Sequence, residues 1–178
     1  MNEAEFRDQL VTVLPRLRRF ARGLAGNATQ ADDLVQSACE RALSRQQQFQ
    51  EGTRFDSWMF RIVQTIWIDQ LRARAVRKED GSEIDEERYG NDEPVRQVEA
   101  RLALAEIRQA MSRLPEEQRV VLMLVTVEGY SYREAAEIAD VPLGTVMSRL
   151  ARARAALAVL LDQGRGLPGS HDNATARR

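Results

Sequence analysis

The chain has 178 residues and a formal net charge of −1, with 43% hydrophobic, 30% charged and 6% aromatic residues. This composition is typical of a globular protein and favours helices over sheets, so we predict an all-α fold. One cysteine and one histidine are too few for a disulfide framework or a zinc site of the usual ligand count, and we expect no metal and no cofactor. The acidic N-terminus and the lack of an apolar run of about 20 residues predict neither a secretory signal nor membrane insertion, hence a cytoplasmic protein.

The charge is unevenly distributed along the chain. Residues 1–78 carry a net +4, residues 79–99 carry −7 and residues 100–178 carry +2. This asymmetry predicts two small helical domains joined by a flexible acidic linker. The linker is either a plain tether or an acidic segment that imitates nucleic acid in a basic channel. The predicted boundaries are 1–78 for the first domain, 79–98 for the linker, 99–162 for the second domain and 163–178 for a disordered tail.

Two helices are predicted in the first 50 residues. Apolar residues recur at three-and-four spacing from Glu3 to about Leu24, which indicates one amphipathic helix. A second helix is predicted with Thr29 as its N-cap and Asp32 three residues later. Asp32 and Asp33 then lie at the positive end of this helix, where acids stabilise it by about 0.3–1 kcal/mol.

A third helical segment begins near Phe55 and interleaves aromatic residues with arginines up to Arg74. At about 100° per residue, Trp58, Ile62, Ile66 and Asp69 share one broad arc, so core packing explains much of the aromatic content. Exposed aromatics beside cations are also what unpaired nucleic acid requires, because bases stack on rings and phosphates bind cations. The periodicity leaves both interpretations open for Trp58 and Trp67.

The second domain begins near Glu99 with another amphipathic helix. Pro115, followed by Glu116 and Glu117, predicts the start of the next helix, with proline in its first turn and acids at its positive end. The run from Val120 to Val127 is apolar on nearly every side, which is typical of the central helix of a small bundle.

The spacing after Gly129 predicts a helix-turn-helix. Ser131 caps a short helix with Glu134 three residues on, and Asp140 ends it in a tight turn. A small residue at Ala136 and an apolar residue at Val146 complete the arrangement, because the two helices must approach closely. We expect the motif at about residues 131–154.

The last helix has two distinct faces on a helical wheel. The predicted buried stripe consists of Val146, Leu150, Ala153, Leu157 and Leu161. The opposite side, called here the polar face, consists of Thr145, Ser148, Arg149 and Arg152, with Arg154 at the margin of the buried stripe. No acid occurs between Val141 and Leu161, which favours DNA binding over the last amphipathic helix of an ordinary bundle.

Three strings in this order resemble a bacterial family. "ADDLVQSACERAL" is similar to the helix by which sigma factors of the extracytoplasmic-function group, or group IV, grip the clamp coiled coil of core RNA polymerase. "FDSWMFRIVQTIWIDQLR" resembles their promoter-melting segment. "LPEEQRVVLMLVTVEGYSYREAAEIADVPLGTVMSRLARARAAL" resembles the helix-turn-helix domain that contacts the −35 element. The resemblance covers roughly residues 5–162.

The resemblance implies a sigma factor that binds core RNA polymerase and directs promoter-specific transcription initiation at −35 and −10 elements, with no enzymatic activity. It implies as partners the polymerase clamp and flap, promoter DNA and an anti-sigma factor, and nucleoid association within the holoenzyme. It also implies that the turn from Gln50 to Arg54 lies where a base leaves the stack. The residues implied for polymerase binding are Asp32, Asp33, Val35 and Gln36. Those implied for the −10 strand are Arg54, Phe55, Trp58, Arg61, Thr65, Asp69 and Arg72. Those implied for the −35 duplex are Arg133, Thr145, Ser148, Arg149, Arg152 and Arg154.

The chain departs from the family pattern at Thr65, where asparagine is usual, at Asp140, where glycine is frequent, and at Met147, where lysine is common. One alternative is a sigma-like module that sequesters an anti-sigma factor without contacting DNA. A dimeric repressor is a second alternative, but it would leave the segment from Phe55 to Arg74 unexplained. An enzyme would need a cluster of acid, base or metal ligands, and the sequence does not contain one.

Overall fold

The computed structural model describes residues 1–79 and 98–165, and within them every regular element is helical. This confirms the predicted all-α fold. Residues at the edges of the predicted linker and tail belong to helices, and the rest of both segments lies outside the described residues. The elements are α1 (Glu3–Ala25), α2 (Ala28–Ser44), a 3-10 turn (Gln46–Gln48), α3 (Phe55–Glu79), α4 (Val98–Ser112), α5 (Glu116–Leu122), a π-helical turn (Met123–Val127), α6 (Tyr132–Ala139) and α7 (Leu143–Arg165).

Helices α1, α2 and α3 form the N-terminal body, and side-chain caps define where its first two helices begin. Asn2 and Glu5 form a reciprocal capping box at α1, with hydrogen bonds of 2.8 and 2.9 Å. At α2 the side chain of Asn27 accepts a hydrogen bond from the backbone N–H of Gln30 at 2.7 Å. The predicted cap at Thr29 is therefore wrong, because Asn27 already satisfies the free N–H groups two residues earlier.

The core of the N-terminal body consists of the apolar stripes of its three helices. Eight large side chains are fully buried there, and each contributes about 1.5–3 kcal/mol by leaving water. They are Phe6, Leu17, Phe20, Leu24, Leu34, Met59, Phe60 and Val63. Trp67 is also buried, whereas Trp58 is half-buried at the edge of the core. The core explanation therefore holds fully for Trp67 and partly for Trp58.

Helices α4 to α7 form the C-terminal body, with α5 at its centre. This helix begins directly after Pro115, as predicted, and its continuation is apolar and buried through Leu124. The apolar run expected to lie at the centre of the bundle is exposed at its end, because the chain widens into the π-helical turn and leaves Val127 42% exposed. A π-helical turn shifts the register of the following side chains.

The two bodies pack directly against each other. Helices α1 and α3 contact α5, the π-helical turn and α6. Gly23 of α1 allows the close approach of Met123, since a side chain at this glycine would occupy the space of the Met123 methyl group. The rings of Phe60 and Tyr130 meet edge to face with centroids 5.4 Å apart. One continuous hydrophobic cluster therefore crosses from α3 into the C-terminal body.

Candidate nucleic-acid interface

The helix-turn-helix consists of α6, a tight turn and α7. Ser131 and Glu134 form the predicted capping box at α6. Asp140 ends α6 in the left-handed conformation, with φ 54°, which aspartate adopts more readily than most residues because its side chain can hydrogen-bond locally. The chain then turns and starts α7 at Leu143. The predicted motif is confirmed as a fold element.

The predicted buried stripe of α7 faces the core. Val146, Leu150 and Ala153 are at most 1% exposed, while Leu157 and Leu161 are half-buried. Because these residues are fixed in the core, the opposite side of α7 is turned outward. The helix thus has the two faces that its sequence pattern predicts.

The polar face of α7 is exposed at Ser148 and Arg152 and half-buried at Thr145. The guanidinium of Arg152 donates to the backbone carbonyl of Ser148 at 3.2 Å, within the same helix, so it lies along the helix surface. Arg154 and Arg133 are also exposed.

Arg149 differs from the other arginines of this face. Its guanidinium pairs with the carboxylate of Glu117 on α5, and its side chain is only 18% exposed. The sequence contains no acid within this stretch of α7, but the fold brings one in from 32 residues away. Arg149 therefore links α7 to α5 through this ion pair.

Two of the residues expected at the −10 strand are aromatic, and they differ in exposure. Phe55 is 7% exposed and belongs to the core. Its ring lies 5.1 Å from Phe6 and 5.4 Å from Phe49, centroid to centroid. A direct contact of Phe55 with a base is therefore not supported, because the cluster already encloses the ring. Trp58 is half-buried at the rim of this cluster, and its ring packs against Phe49 with centroids 5.5 Å apart.

Asp56 organises the cations at the start of α3. Its carboxylate accepts hydrogen bonds from Arg54 at 2.8 and 3.1 Å and from Arg16 at 2.7 Å. It also accepts from the backbone N–H of Ser57 at 2.8 Å. Burial alone would raise the pKa of Asp56, but the hydrogen bonds from Arg54 and Arg16 outweigh it and hold that pKa well below its usual range. Asp56 was not among the site residues expected from the sequence. The available signal was an acid in the first turn of a predicted helix.

The remaining −10 candidates line the exposed surface of α3. Arg61, Thr65, Asp69 and Arg72 are all exposed. The hydroxyl of Thr65 donates to the carbonyl of Arg61 at 2.7 Å, so in this structure its hydrogen is committed to the helix backbone. Asp69 and Arg72 lie 3.9 Å apart as a weak ion pair. Asp69 was expected on the same arc as the core residue Ile66, but its side chain is 56% exposed.

A groove of about 540 Å³ lies beside the turn that the resemblance assigns to an extruded base. It is lined by the N-terminus of the chain and by the segment after α2, with Phe49 at its wall and Glu51 at its edge. The groove is large enough for a nucleobase. That a base leaves the stack at the turn from Gln50 to Arg54 stays a prediction.

The candidates for polymerase binding lie on α2. Asp32, Asp33 and Gln36 are exposed, and Gln36 donates to Glu40 at 3.0 Å. Val35 is 4% exposed and packs in the core of the N-terminal body. The expectation that Val35 offers its side chain to a partner is therefore wrong, because the stripe that folds α2 onto its neighbours includes it.

The surface where the bodies meet contains ionic contacts that the sequence did not reveal. Glu128, whose side chain is fully buried, accepts hydrogen bonds from Arg16 at 3.1 Å and from Arg19 at 2.9 Å. The indole N–H of Trp67 donates to Glu116 at 3.1 Å. In the parts of the chain that the structure describes, no group of three or more His, Cys, Asp or Glu could hold a metal ion. No helix described there is long and apolar enough to cross a membrane.

The helix-turn-helix and the cationic side of α3 define a DNA-binding protein of two helical bodies, and the comparisons with known proteins agree. Residues 104–157 match the family model described as sigma-70, region 4. Residues 10–64 match the model of the sigma2 domain of PhyR. The ECF RNA polymerase sigma factor EcfG of Rhodopseudomonas palustris is 39% identical, over 87% of this chain and 84% of its own length.

Solved structures show the same relationship. The sigma factor RpoE of Bartonella quintana, in complex with the anti-sigma factor NepR, is 32% identical with a TM-score of 0.74, over 89% of this chain and 97% of its own. CnrH, in complex with the cytosolic domain of CnrY, is 27% identical with a TM-score of 0.68, over 91% of this chain and 90% of its own. The chain belongs to the ECF RNA polymerase sigma factors.

Proposed function

We propose that this chain binds core RNA polymerase, directs it to promoters through −35 and −10 elements, and stabilises the melted −10 strand. The observation that carries the proposal is the helix-turn-helix whose α7 turns Ser148 and Arg152 outward from a fixed core. An α-helix with outward polar and cationic side chains fits the major groove, where arginine donates to guanine.

The N-terminal body supplies the remaining contacts. Asp32, Asp33 and Gln36 form the surface proposed for the polymerase clamp, and they are exposed on one helix. Arg54, Arg61 and Arg72 are proposed to bind the phosphates of the −10 strand, because a row of cations along α3 matches a row of phosphates. Trp58 offers the half-buried ring on which an unpaired base can stack.

The domain assignment follows from these surfaces. Residues 1–78 are proposed to bind polymerase and the −10 element, and residues 99–162 to bind the −35 element and the polymerase flap. Residues 79–98 are proposed as an acidic linker between them, and residues 163–178 as a disordered tail. The chain is proposed to have no catalytic activity, to act in the cytoplasm and to be associated with the nucleoid as part of the holoenzyme.

An anti-sigma factor is proposed as a further partner. RpoE was solved in complex with the anti-sigma factor NepR. CnrH was solved in complex with the cytosolic domain of CnrY. The match of each to about nine-tenths of this chain includes both bodies, so a partner that contacts both bodies could be accommodated here.

A sigma-like module that sequesters an anti-sigma factor is the second candidate. The match of residues 10–64 to the sigma2 domain of PhyR favours it, because a solved relative by fold is described as the anti-anti-sigma factor PhyR. Such a module does not need a cationic surface for DNA. The exposed arginines of α7 and the match of residues 104–157 to sigma-70 region 4 favour the sigma factor.

Ternary-complex formation separates the two candidates. Fluorescence anisotropy of a labelled promoter fragment is measured with the chain alone, with core polymerase alone and with both together. A sigma factor produces a specific complex when both proteins are present, and an unlabelled promoter competes it away. A module that binds an anti-sigma factor without contacting DNA leaves the anisotropy equal to that of core polymerase alone, which would overturn the proposal.

A further inference from the structure

At the contact between the two bodies, two arginines proposed to bind the −10 strand form ion pairs with acids of the C-terminal body. Arg54 pairs with the carboxylate of Glu134, which lies in the first turn of α6. Arg61 pairs with Asp140, the residue that ends α6, at 3.1 Å between Nη2 and Oδ1. Both acids thus come from the first helix of the helix-turn-helix and its turn. The carboxylates lie where phosphates of a bound strand would pair with these guanidinium groups.

We propose that the free chain closes on itself and that Glu134 and Asp140 take the place of promoter phosphates on Arg54 and Arg61. The inference rests on the proposed function, since it assumes that these arginines bind the −10 strand. The C-terminal body then acts as an internal competitor of DNA, and the closed chain binds the −10 strand more weakly than the open one.

One set of residues holds the two bodies together, and a second set pairs with the two arginines. Glu128 is buried between Arg16 and Arg19, and Tyr130, 3% exposed, packs on Phe60 across the surface between the bodies. These contacts fix the position of α6 over α3. The pairs made by Glu134 and Asp140 are more exposed, with Arg54 57% and Arg61 50% accessible, so they can exchange with phosphates once the bodies separate.

Promoter geometry makes closure and promoter binding mutually exclusive. Elements centred near −35 and −10 are separated by about 25 base pairs, or about 85 Å of B-form DNA. In the closed chain α6 touches α3, so the two bodies cannot reach both elements. Promoter and polymerase therefore select the open state.

The masking acids can be neutralised without damage to the fold. Glu134→Gln keeps the capping box with Ser131, since glutamine serves at this position as well as glutamate. Asp140→Asn keeps a residue that tolerates the left-handed conformation. The matched control, Glu137→Gln with Asp162→Asn, removes the same charge from two exposed acids of the C-terminal body. Glu137 makes no ion pair with the N-terminal body among the residues that the structure describes.

The first experiment measures the affinity of the free full-length chain for a fluorescein-labelled single strand of 20 thymidines. Binding is detected by fluorescence anisotropy at low salt. The variant with both Glu134→Gln and Asp140→Asn is expected to bind about fivefold more tightly than the wild-type chain, as expected for release of two exposed ion pairs. The control variant is expected to stay within twofold of wild type. Equal affinities of the two double variants would overturn the inference, because net charge alone would then explain any gain.

The second measurement tests closure without DNA. Glu128→Arg places a third cation beside Arg16 and Arg19, so it is expected to open the chain and to raise the radius of gyration by several ångströms in small-angle X-ray scattering, with unchanged helical circular dichroism. An unchanged radius of gyration would overturn the inference. Neither result depends on promoter activity: the proposed function fails if the wild-type chain forms no promoter complex with core polymerase, whatever the scattering shows.

Discussion

Glu128 holds Arg19 by two hydrogen bonds of 2.9 Å each, although the two residues are 109 positions apart. The carboxylate comes from the segment before α6 and the guanidinium from α1, so the pair joins the two bodies. The side chain of Glu128 is fully buried in this contact. Loss of either partner would leave a buried charge without its counterion, which is strongly destabilising.

Tyr130 makes the same contact sensitive to alkaline pH. Burial, and then the neighbouring carboxylate of Asp56, raises its pKa to about 12. The pKa of an unfolded tyrosine is about 10. A raised pKa in the folded state means that the neutral phenol stabilises the fold below about pH 10 and that this stabilisation is lost as the pH rises through about 12. We expect Tyr130 to ionise in this late step, measured by tyrosinate absorbance.

Two phenylalanine variants assign this step. Tyr130→Phe is expected to remove the late ionisation, whereas Tyr132→Phe, at an exposed position on α6, is expected to leave it in place. A late step that survives in Tyr130→Phe would show that the buried phenol is not its source.

The turn of the helix-turn-helix offers a test of backbone strain. Asp140 has φ 54°, a conformation that costs an ordinary L-residue about 1–2 kcal/mol and glycine almost nothing. Asp140→Gly and Asp140→Ala both remove the carboxylate, so their difference isolates the backbone. Urea denaturation at pH 7 is expected to show the glycine variant more stable by about 1 kcal/mol. Equal stability of the two variants would mean that the turn relaxes out of the left-handed conformation.

The acids of α2 are expected to contact core polymerase. Replacing Asp32 and Asp33 together by asparagine should weaken polymerase binding about tenfold or more, because two exposed charges lose their basic partner surface. Helical circular dichroism should not change, since Asn27 supplies the cap of α2. Asp8→Asn on α1, also exposed, is the control. If a pull-down assay shows unchanged polymerase binding by the double variant, the two acids only stabilise the positive end of α2.

Two arginines of α7 are expected to act differently on DNA. Arg152 lies on the polar face and Arg154 outside it, and both are exposed. Arg152→Ala should cost about 1–3 kcal/mol and relax the preference at one base pair, whereas Arg154→Ala should weaken all sequences about equally. Transcription from a set of promoters altered one base pair at a time measures both effects. Identical specificity profiles of wild type and Arg152→Ala would remove Arg152 from base recognition.

The helix-turn-helix could be predicted from the sequence because its determinants are local. A capping box joins residues three positions apart, and the buried stripe of α7 repeats within one helix. The start of α2 was predicted two residues too late, because Asn27 and Thr29 are both good caps and the sequence alone does not choose between them. Val35 and Phe55 show the limit of the resemblance, since a family position does not state whether its side chain faces a partner or the core.

The surface between the bodies could not be predicted in this way. Its pairs join residues separated by 80 positions for Arg54 and Glu134 and by 112 for Arg16 and Glu128. Periodicity and capping signals contain no information at such separations. Arg149 shows the same limit within one body, since its partner Glu117 comes from a different helix.

The most direct test of the central claim is run-off transcription by purified core polymerase on a library of promoter sequences, with and without this chain. The account predicts new transcripts that depend on the chain and that start at a fixed distance downstream of a shared pair of sequence elements. The same transcripts with and without the chain would contradict its assignment as a promoter-directing sigma factor.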